Sequence, residues 1–418
     1  MFAIASDDVS QVQRVLDSGE ANPNDQVGPE SALKFALTND QLTNRLEIVK
    51  TLLAYGADPA GLKNSSSGGQ EHSRRSSVVI SGSSPAHVGH SLNASEIEGR
   101  KEVDPVFEAM KSRMDPATRY FINRADAPKT RRTSALIHRS IFHPLARMRY
   151  DVIGQDCAFE QLFRCLSIQS QNLSVSPLVV MLCGPSGHGK SLFARKFGSL
   201  LGVPTHTVNM TTLKSTHDLW QSYSMSPYEE PSTLTLDEFL TENEGKRCVV
   251  VLDEIDKVDK EKTLFSLLMP WELGKCSFTA GKRHVNARSV IWIATANTGH
   301  QLVFDHQAQR ADPDAPMDRK EYMELINLLR PDVTECLGAS LISRVTTVLP
   351  FVPFTSEEKL AIASQALFLQ GGEHARLMSP EIIDRLVADA VAAYIPSEGG
   401  RSLYRAVSSL LLDAIDLV

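Results

Sequence analysis

The chain has 418 residues, 42% of them hydrophobic, which is more than one compact core organises, so several folded units are expected. Its 43 basic and 50 acidic residues leave a formal charge of -7, giving no global electrostatic reason to hold nucleic acid or an anionic membrane surface. Six cysteines, at positions 157, 165, 183, 248, 276 and 336, form no C-x-x-C pair, and no His cluster stands at zinc spacing, so they read as reduced core thiols.

The N-terminus, MFAIASDDVS, is acidic where a transit peptide needs arginines, and no later run approaches the roughly 20 apolar residues of a membrane span. A cytoplasmic protein is the expectation, with the nucleus open, no support for a mitochondrial address and no membrane partner. Residues 1–60 carry an internal echo: Val12, Val15, Leu16 and Gly19 recur as Val49, Leu52, Leu53 and Gly56, and a proline follows each glycine, at 23 and 59. The echo predicts stacked helical hairpins. With Ser31-Ala32-Leu33-Lys34 opening one helix pair and Gly56-Ala57-Asp58-Pro59 closing it, the stretch resembles ankyrin repeats, at a spacing of about 37 against the usual ~33. About three such repeats are needed for stability, and two are visible, so the array is expected to be truncated or to lean on another domain.

Residues 61–100, rich in Ser, Gly and His, predict a disordered linker, since they hold too few large apolar residues to offset their ordering entropy. Within it, Arg74-Arg75-Ser76-Ser77 has the form of a basic-directed phosphorylation site. Residues 101–144 are expected to form a basic helical connector. Between 111 and 150 ten Lys/Arg face two Asp, interleaved with Tyr120, Phe121 and Phe142, and in the absence of a nucleic-acid motif the expectation is a solvated helix rather than a nucleic-acid surface.

From Leu178 to Cys183 the run LVVMLC shows no alternation, as in a parallel strand buried on both faces. It leads into Gly184-Pro-Ser-Gly-His-Gly189-Lys190-Ser191, a G-x-x-x-x-G-K-[ST] phosphate loop. Glycines let successive N–H groups turn inward on a phosphate, and the following helix presents the positive end of its dipole. The nucleotide contacts are therefore placed on Gly184, Pro185, Ser186, Gly187, His188, Gly189, Lys190, Ser191 and Leu192, with Lys190 on the β/γ oxygens and Ser191 on Mg²⁺. A second run, Cys248 to Leu252, ends in Asp253-Glu254 at the sheet edge where ligands of open α/β folds sit. Asp253 is the second magnesium residue, acting through water, and Glu254 polarises the attacking water. A third run, Val290 to Ala294, leads to Thr295-Ala296-Asn297, with Asn297 placed to touch the γ-phosphate and that water.

Together these elements resemble the AAA+ ATPases, over about residues 145–418, and within them the Clp/HSP100 chaperones. The resemblance implies further roles. Asp151-Val152-Ile153-Gly154-Gln155-Asp156 is similar to the family segment that wraps adenine, assigning Val152 and Ile153 to the cofactor. Gly338 to Arg344 falls where the family has its arginine finger, making Arg344 catalytic from the adjacent subunit of a ring, a hexamer by family likeness. Gly399-Gly400-Arg401-Ser-Leu-Tyr-Arg405 resembles the sensor-2 motif, giving Arg401 to the nucleotide.

Departures from the family pattern bear on function. Met225 stands where the family's pore tyrosine grips polypeptide, although Tyr228, Glu229 and Glu230 align, and Ser343 replaces an Asn before the finger. The predicted fold is an α/β P-loop AAA+ core with a parallel sheet over 145–352 and a C-terminal helical lid over 353–418, preceded by the ankyrin-like array of 1–60. That order resembles the animal mitochondrial ClpB homologue with ankyrin repeats. The function it implies is Mg²⁺-dependent ATP hydrolysis in a ring that remodels protein clients chosen by the repeats. The alternative is a nucleotide-dependent assembly switch that threads nothing.

Overall fold

Caps and apolar spacing coincide at the start of the chain, and short helices result. α1 (Phe2–Ala5) and α2 (Val9–Asp17) form one pair, with Asp8 accepting the Ser10 and Gln11 amides at the start of α2. A two-strand hairpin, β1 (Gln26–Val27) and β2 (Glu30–Ser31), precedes α3 (Ala32–Thr38), capped by Ser31, and α4 (Arg45–Ala54). The computed structural model describes residues 2–27, 30–62, 110–111, 114–171, 176–224, 233–258, 261–278 and 284–415. The phosphorylation motif at Ser76 and Ser77 and the loop around Met225 and Tyr228 lie outside these residues.

α5 (Pro116–Asp126) and α6 (Pro128–His138) follow, then α7 (Met148–Asp151) and α8 (Asp156–Gln171). The expectation of a solvated connector fails at α5, where Ala117, Phe121 and Ile122 are buried. Ala117, Tyr120, Phe121 and Arg124 recur at helical spacing and form one inward stripe. Two of the basic side chains beside that stripe are spent internally. Arg124 and Arg149 both pair with Asp156, and Arg149 also reaches Glu160 at 3.3 Å, while Arg132 and Arg139 stay exposed.

The central sheet comprises β3 (Leu178–Cys183), β4 (Thr205–Asn209), β5 (Cys248–Asp253), β8 (Val290–Ala296) and β9 (Thr347–Pro350). All pairs are parallel and the order is β4-β5-β8-β3-β9. Between β4 and β5 lie α10 (Thr216–Trp220) and α11 (Leu236–Glu242); α9 (Lys190–Leu201) joins β3 to β4. After β5 come α12 (Glu261–Phe265), α13 (Leu268–Leu273) and the hairpin β6 (Lys275–Ser277) and β7 (His284–Asn286). α14 (His300–Gln309), α15 (Arg319–Leu337) and α16 (Ala339–Ile342) lead to β9.

Alternate residues of each apolar run enter different cores. Val179, Met181 and Cys183 of β3 join Trp271 and Trp292 on one face, while Leu178, Val180 and Leu182 join Phe159, Phe193 and Phe351 on the other. Helices cover both faces, which is why these strands show no polar alternation. Cys183, Cys248 and Cys276 are buried free thiols, whereas Cys336 is exposed.

The chain ends in a helical unit of α17 (Ser356–Leu377), α18 (Pro380–Ala392) and α19 (Gly400–Ile415). Its start is fixed by a reciprocal cap between Thr355 and Glu358. The N-terminal helices do lean on the rest of the protein. Ile48, Leu52 and Phe121 share one buried core with Tyr150, Ile153, Phe354, Ala361 and Ile362, which joins the first helices to α5 and to α17. Phe121, fully buried and stacked edge-on with Tyr120, is central to this joint. Phe121→Ala is expected to cost about 3–5 kcal/mol, read as a lowered thermal unfolding transition; an unchanged transition would show that the joint is loosely packed.

Candidate functional site

The order β5-β8-β3 brings three loop ends to one edge of the sheet. β3 delivers the loop from Gly184 to Gly189, β5 delivers Asp253 and Glu254, and β8, lying between them, delivers Thr295 and Asn297. Gly187 (φ 74°) and Gly189 (φ 94°) turn the loop into α9. A side chain at Gly187 would lie 1.9 Å from the carbonyl oxygen of Glu398, so only glycine lets the C-terminal unit approach this closely.

The result is a cavity of about 360 Å³ lined by Ser186, Gly187, Gly189, Lys190, Ser191, Leu192, Glu254, Thr295, Asn297, Gly400, Arg401 and Tyr404. Lys190 is buried, and its Nζ donates to the carbonyls of Gly184 and Pro185, each at 2.8 Å. Burial without a carboxylate at contact pulls its pKa down to about 8. At the far end, Ser191 Oγ and Thr295 Oγ1 each donate to Asp253 Oδ1 at 2.7 Å. Arg195, one turn beyond Ser191 on α9, pairs with Asp253 Oδ2 at 2.7 Å.

Thr295 does a second job. Its hydroxyl oxygen accepts the Glu254 amide at 2.9 Å, and Glu254 sits in the left-handed region at φ 61°, unusual for a side chain of its size. The backbone is thereby turned so that Glu254 faces the cavity. The Asn297 amide donates to Asp256 Oδ2 at 3.1 Å, which ties the β8 loop to the β5 loop.

Residues 179–313 match the AAA domain (dynein-related subfamily). The ClpB chaperone of Chlamydia caviae is 27% identical over 271 residues, covering 61% of this chain and 29% of that protein. The ClpB of Chlamydia muridarum is 29% identical over 223 residues, 50% of this chain and 24% of that one. The chain carries an AAA domain and is similar to the ClpB chaperones over 50–61% of its length. It spans less than a third of the length of these curated relatives. Among solved structures, the Saccharomyces cerevisiae Hsp104–ADP complex matches with a TM-score of 0.49 at 18% identity, covering 72% of this chain and 52% of that one.

Other sequence-assigned residues of the AAA+ module lie around the cavity rather than in it. Gly184 and Pro185 act through their carbonyls on Lys190. Val152 and Ile153 are buried behind the loop, with Val152 Cγ1 3.2 Å from where a Gly189 side chain would begin. His188 turns away from the lining altogether. It is fully buried, stacks on Phe354 at 4.8 Å, meets the Tyr394 hydroxyl at 3.4 Å through Nε2, and is pushed down to about 4 by burial. Beside it the Gly400 amide donates to the Gly187 carbonyl at 2.9 Å, so the loop and the C-terminal unit meet at a neutral imidazole.

Arg401 Nη1 reaches Ser186 Oγ at 3.3 Å. Arg344 is not brought to the cavity of its own chain; its Nε donates to Glu272 Oε2 at 3.0 Å on an exposed surface. Sequence reasoning gave no role to Thr295 or Arg195. Their signals were a hydroxyl ending an apolar strand, and a cation four residues after Ser191 on the same helix face.

The lowered pKa of Lys190 predicts pH-dependent binding for any phosphate-bearing ligand that it contacts. Above a pH of about 8 the free protein's Lys190 is neutral while the ligand-bound lysine is charged, so binding takes up a proton and weakens by up to about tenfold per pH unit; below that pH it is level. Titrations with a fluorescent ATP analogue across this range are expected to show the break, and flat affinity to about pH 9.5 would take Lys190 out of the contact.

Proposed function

We propose that this chain binds ATP with Mg²⁺ and hydrolyses it within a ring of like subunits, coupling the cycle to remodelling of protein clients. The observation that carries the reading is the meeting of Lys190, Ser191, Asp253, Glu254 and Asn297 around one cavity, with Arg344 held outside it. Ser191 Oγ and Asp253 Oδ1, 2.7 Å apart, offer two hard oxygens beside the cavity. Among the described residues no cluster of three or more acidic, His or Cys ligands exists. That sparse donor set fits Mg²⁺, which takes few protein ligands and fills its octahedron with water and phosphate oxygens. When bound, Mg²⁺ neutralises charge on the β and γ oxygens.

The chain's own residues supply the remaining chemistry. Loop amides and Lys190 hold the phosphates, exchanging two carbonyl partners for charged oxygens. Glu254 takes a proton from the water that attacks the γ-phosphorus, and the bond to the β-phosphate oxygen breaks to leave ADP and inorganic phosphate. Asn297 orients that water. Val152 and Ile153 are proposed to border the adenine, and Arg401 to draw the C-terminal unit onto the phosphates. Arg344 would leave Glu272 and meet the γ-phosphate of a neighbouring copy as charge develops there, so turnover needs a ring, a hexamer by kinship with the Clp/HSP100 proteins.

The N-terminal helices are proposed as an ankyrin-like client surface. The lack of an aromatic at Met225 is tolerable for a puller of polypeptide, since a methionine is apolar and adaptable.

Glu254→Gln is expected to lower ATP turnover by about a hundredfold to ten-thousandfold while keeping nucleotide binding. Arg344→Ala should lower it by about a thousandfold or more. An equal mixture of the two variants is expected to recover activity, because an Arg344→Ala subunit keeps its own base and receives a finger from its Glu254→Gln neighbour. A mixture as inactive as its components, together with a monomeric mass at saturating ATP, would rule out the shared site.

A further inference from the structure

Asp151 stands immediately before Val152 and Ile153, and its carboxylate is 4% exposed. Three cations surround it, each from a different element: Lys50 Nζ on α4 at 3.5 Å, Lys196 Nζ on α9 at 3.1 Å, and Arg147 Nε just ahead of α7 at 3.7 Å. Burial opposes its ionisation, but Lys50, Lys196 and Arg147 outweigh that and hold the carboxyl below the usual range.

Lys50 is itself 2% exposed, a rare location for a lysine. It also pairs with Glu47 at 2.8 Å and lies 5.7 Å above the Phe121 ring. Arg147 closes the circuit by donating to Glu47 at 3.2 Å and to Thr51 at 3.2 Å, both on α4. One buried carboxylate thus links the N-terminal helices to the helix that begins at Lys190. Its backbone leads directly into Val152, which lies against Gly189.

We infer that Lys50, outside every motif of the nucleotide site, is a positioning residue for it: through Asp151 it fixes the Val152–Ile153 segment against the phosphate loop and α9. The inference rests on the nucleotide reading above and deepens it. The N-terminal helices are then part of the frame of the nucleotide site, not a separately tethered module. Losing the Lys50 charge leaves the buried Asp151 with less compensation, so the segment before the loop shifts or loosens. Coupling between sites is reciprocal, so nucleotide in the cavity must also steady α4.

The test uses the full chain. Lys50→Met is expected to raise the KM for ATP about fivefold to thirtyfold, with kcat at saturating ATP within about twofold, and Lys50→Arg to recover most of the loss. Nucleotide affinity measured in the Glu254→Gln background should move by the same factor. A folded Lys50→Met protein with unchanged nucleotide affinity would overturn the inference while leaving the proposed function standing; a wild-type chain that binds no ATP would remove both. Should Lys50→Met fail to fold, hydrogen exchange on the wild-type chain decides: amides of 45–54 slow when ATP binds, and no change there overturns the coupling.

Discussion

The geometry of the site depends on one insertion, that of β8 between β3 and β5. Without it the phosphate loop and the Asp253-Glu254 pair would sit on adjacent strands with nothing between them. With it, Thr295 stands at the meeting point, donating to the Asp253 carboxylate and accepting the Glu254 amide. One hydroxyl therefore fixes both the carboxylate beside Ser191 and the strained backbone that aims the next one. A hydroxyl suits this place because it donates and accepts at once, which neither an amide nitrogen nor a carboxylate does.

A second feature is how little of the charge near the site is free. Lys190 rests on two carbonyls, Asp253 is shared among Ser191, Thr295 and Arg195, and Arg344 is held by Glu272. Lys190, Asp253, Arg344 and Arg401 each already have a partner, because an unpaired charge at a partly buried edge is costly. Binding is then an exchange of partners rather than the filling of a void.

The C-terminal unit meets the phosphate loop at His188, where a bulky neutral ring packs between Phe354 and Tyr394. The N-terminal helices meet the same loop from behind, through Asp151 and the core around Phe121. Parts of the chain more than 200 residues apart in sequence thus bear on one turn of backbone, as the Gly400–Gly187 hydrogen bond shows most directly.

Much of this was legible in the residues. The unalternating apolar runs gave the buried parallel strands, and the glycines, Lys190, Ser191, Asp253 and Glu254 marked the sheet edge at which the structure brings them together, because each pattern lies within a few consecutive positions. Less legible were the parts that depend on distant pairing. Nothing local marks Thr295 as a partner of Asp253, distinguishes Arg124 and Arg149 from surface cations, or sets His188 apart from its loop neighbours. Sequence by itself determined the strands, the loop and the acids that follow the second strand, since each is a short-range pattern of polarity and backbone freedom. Only the tertiary structure decided strand order, the partners of the buried charges and the leaning of the first helices on the nucleotide segment, because those follow from which distant surfaces exclude water together.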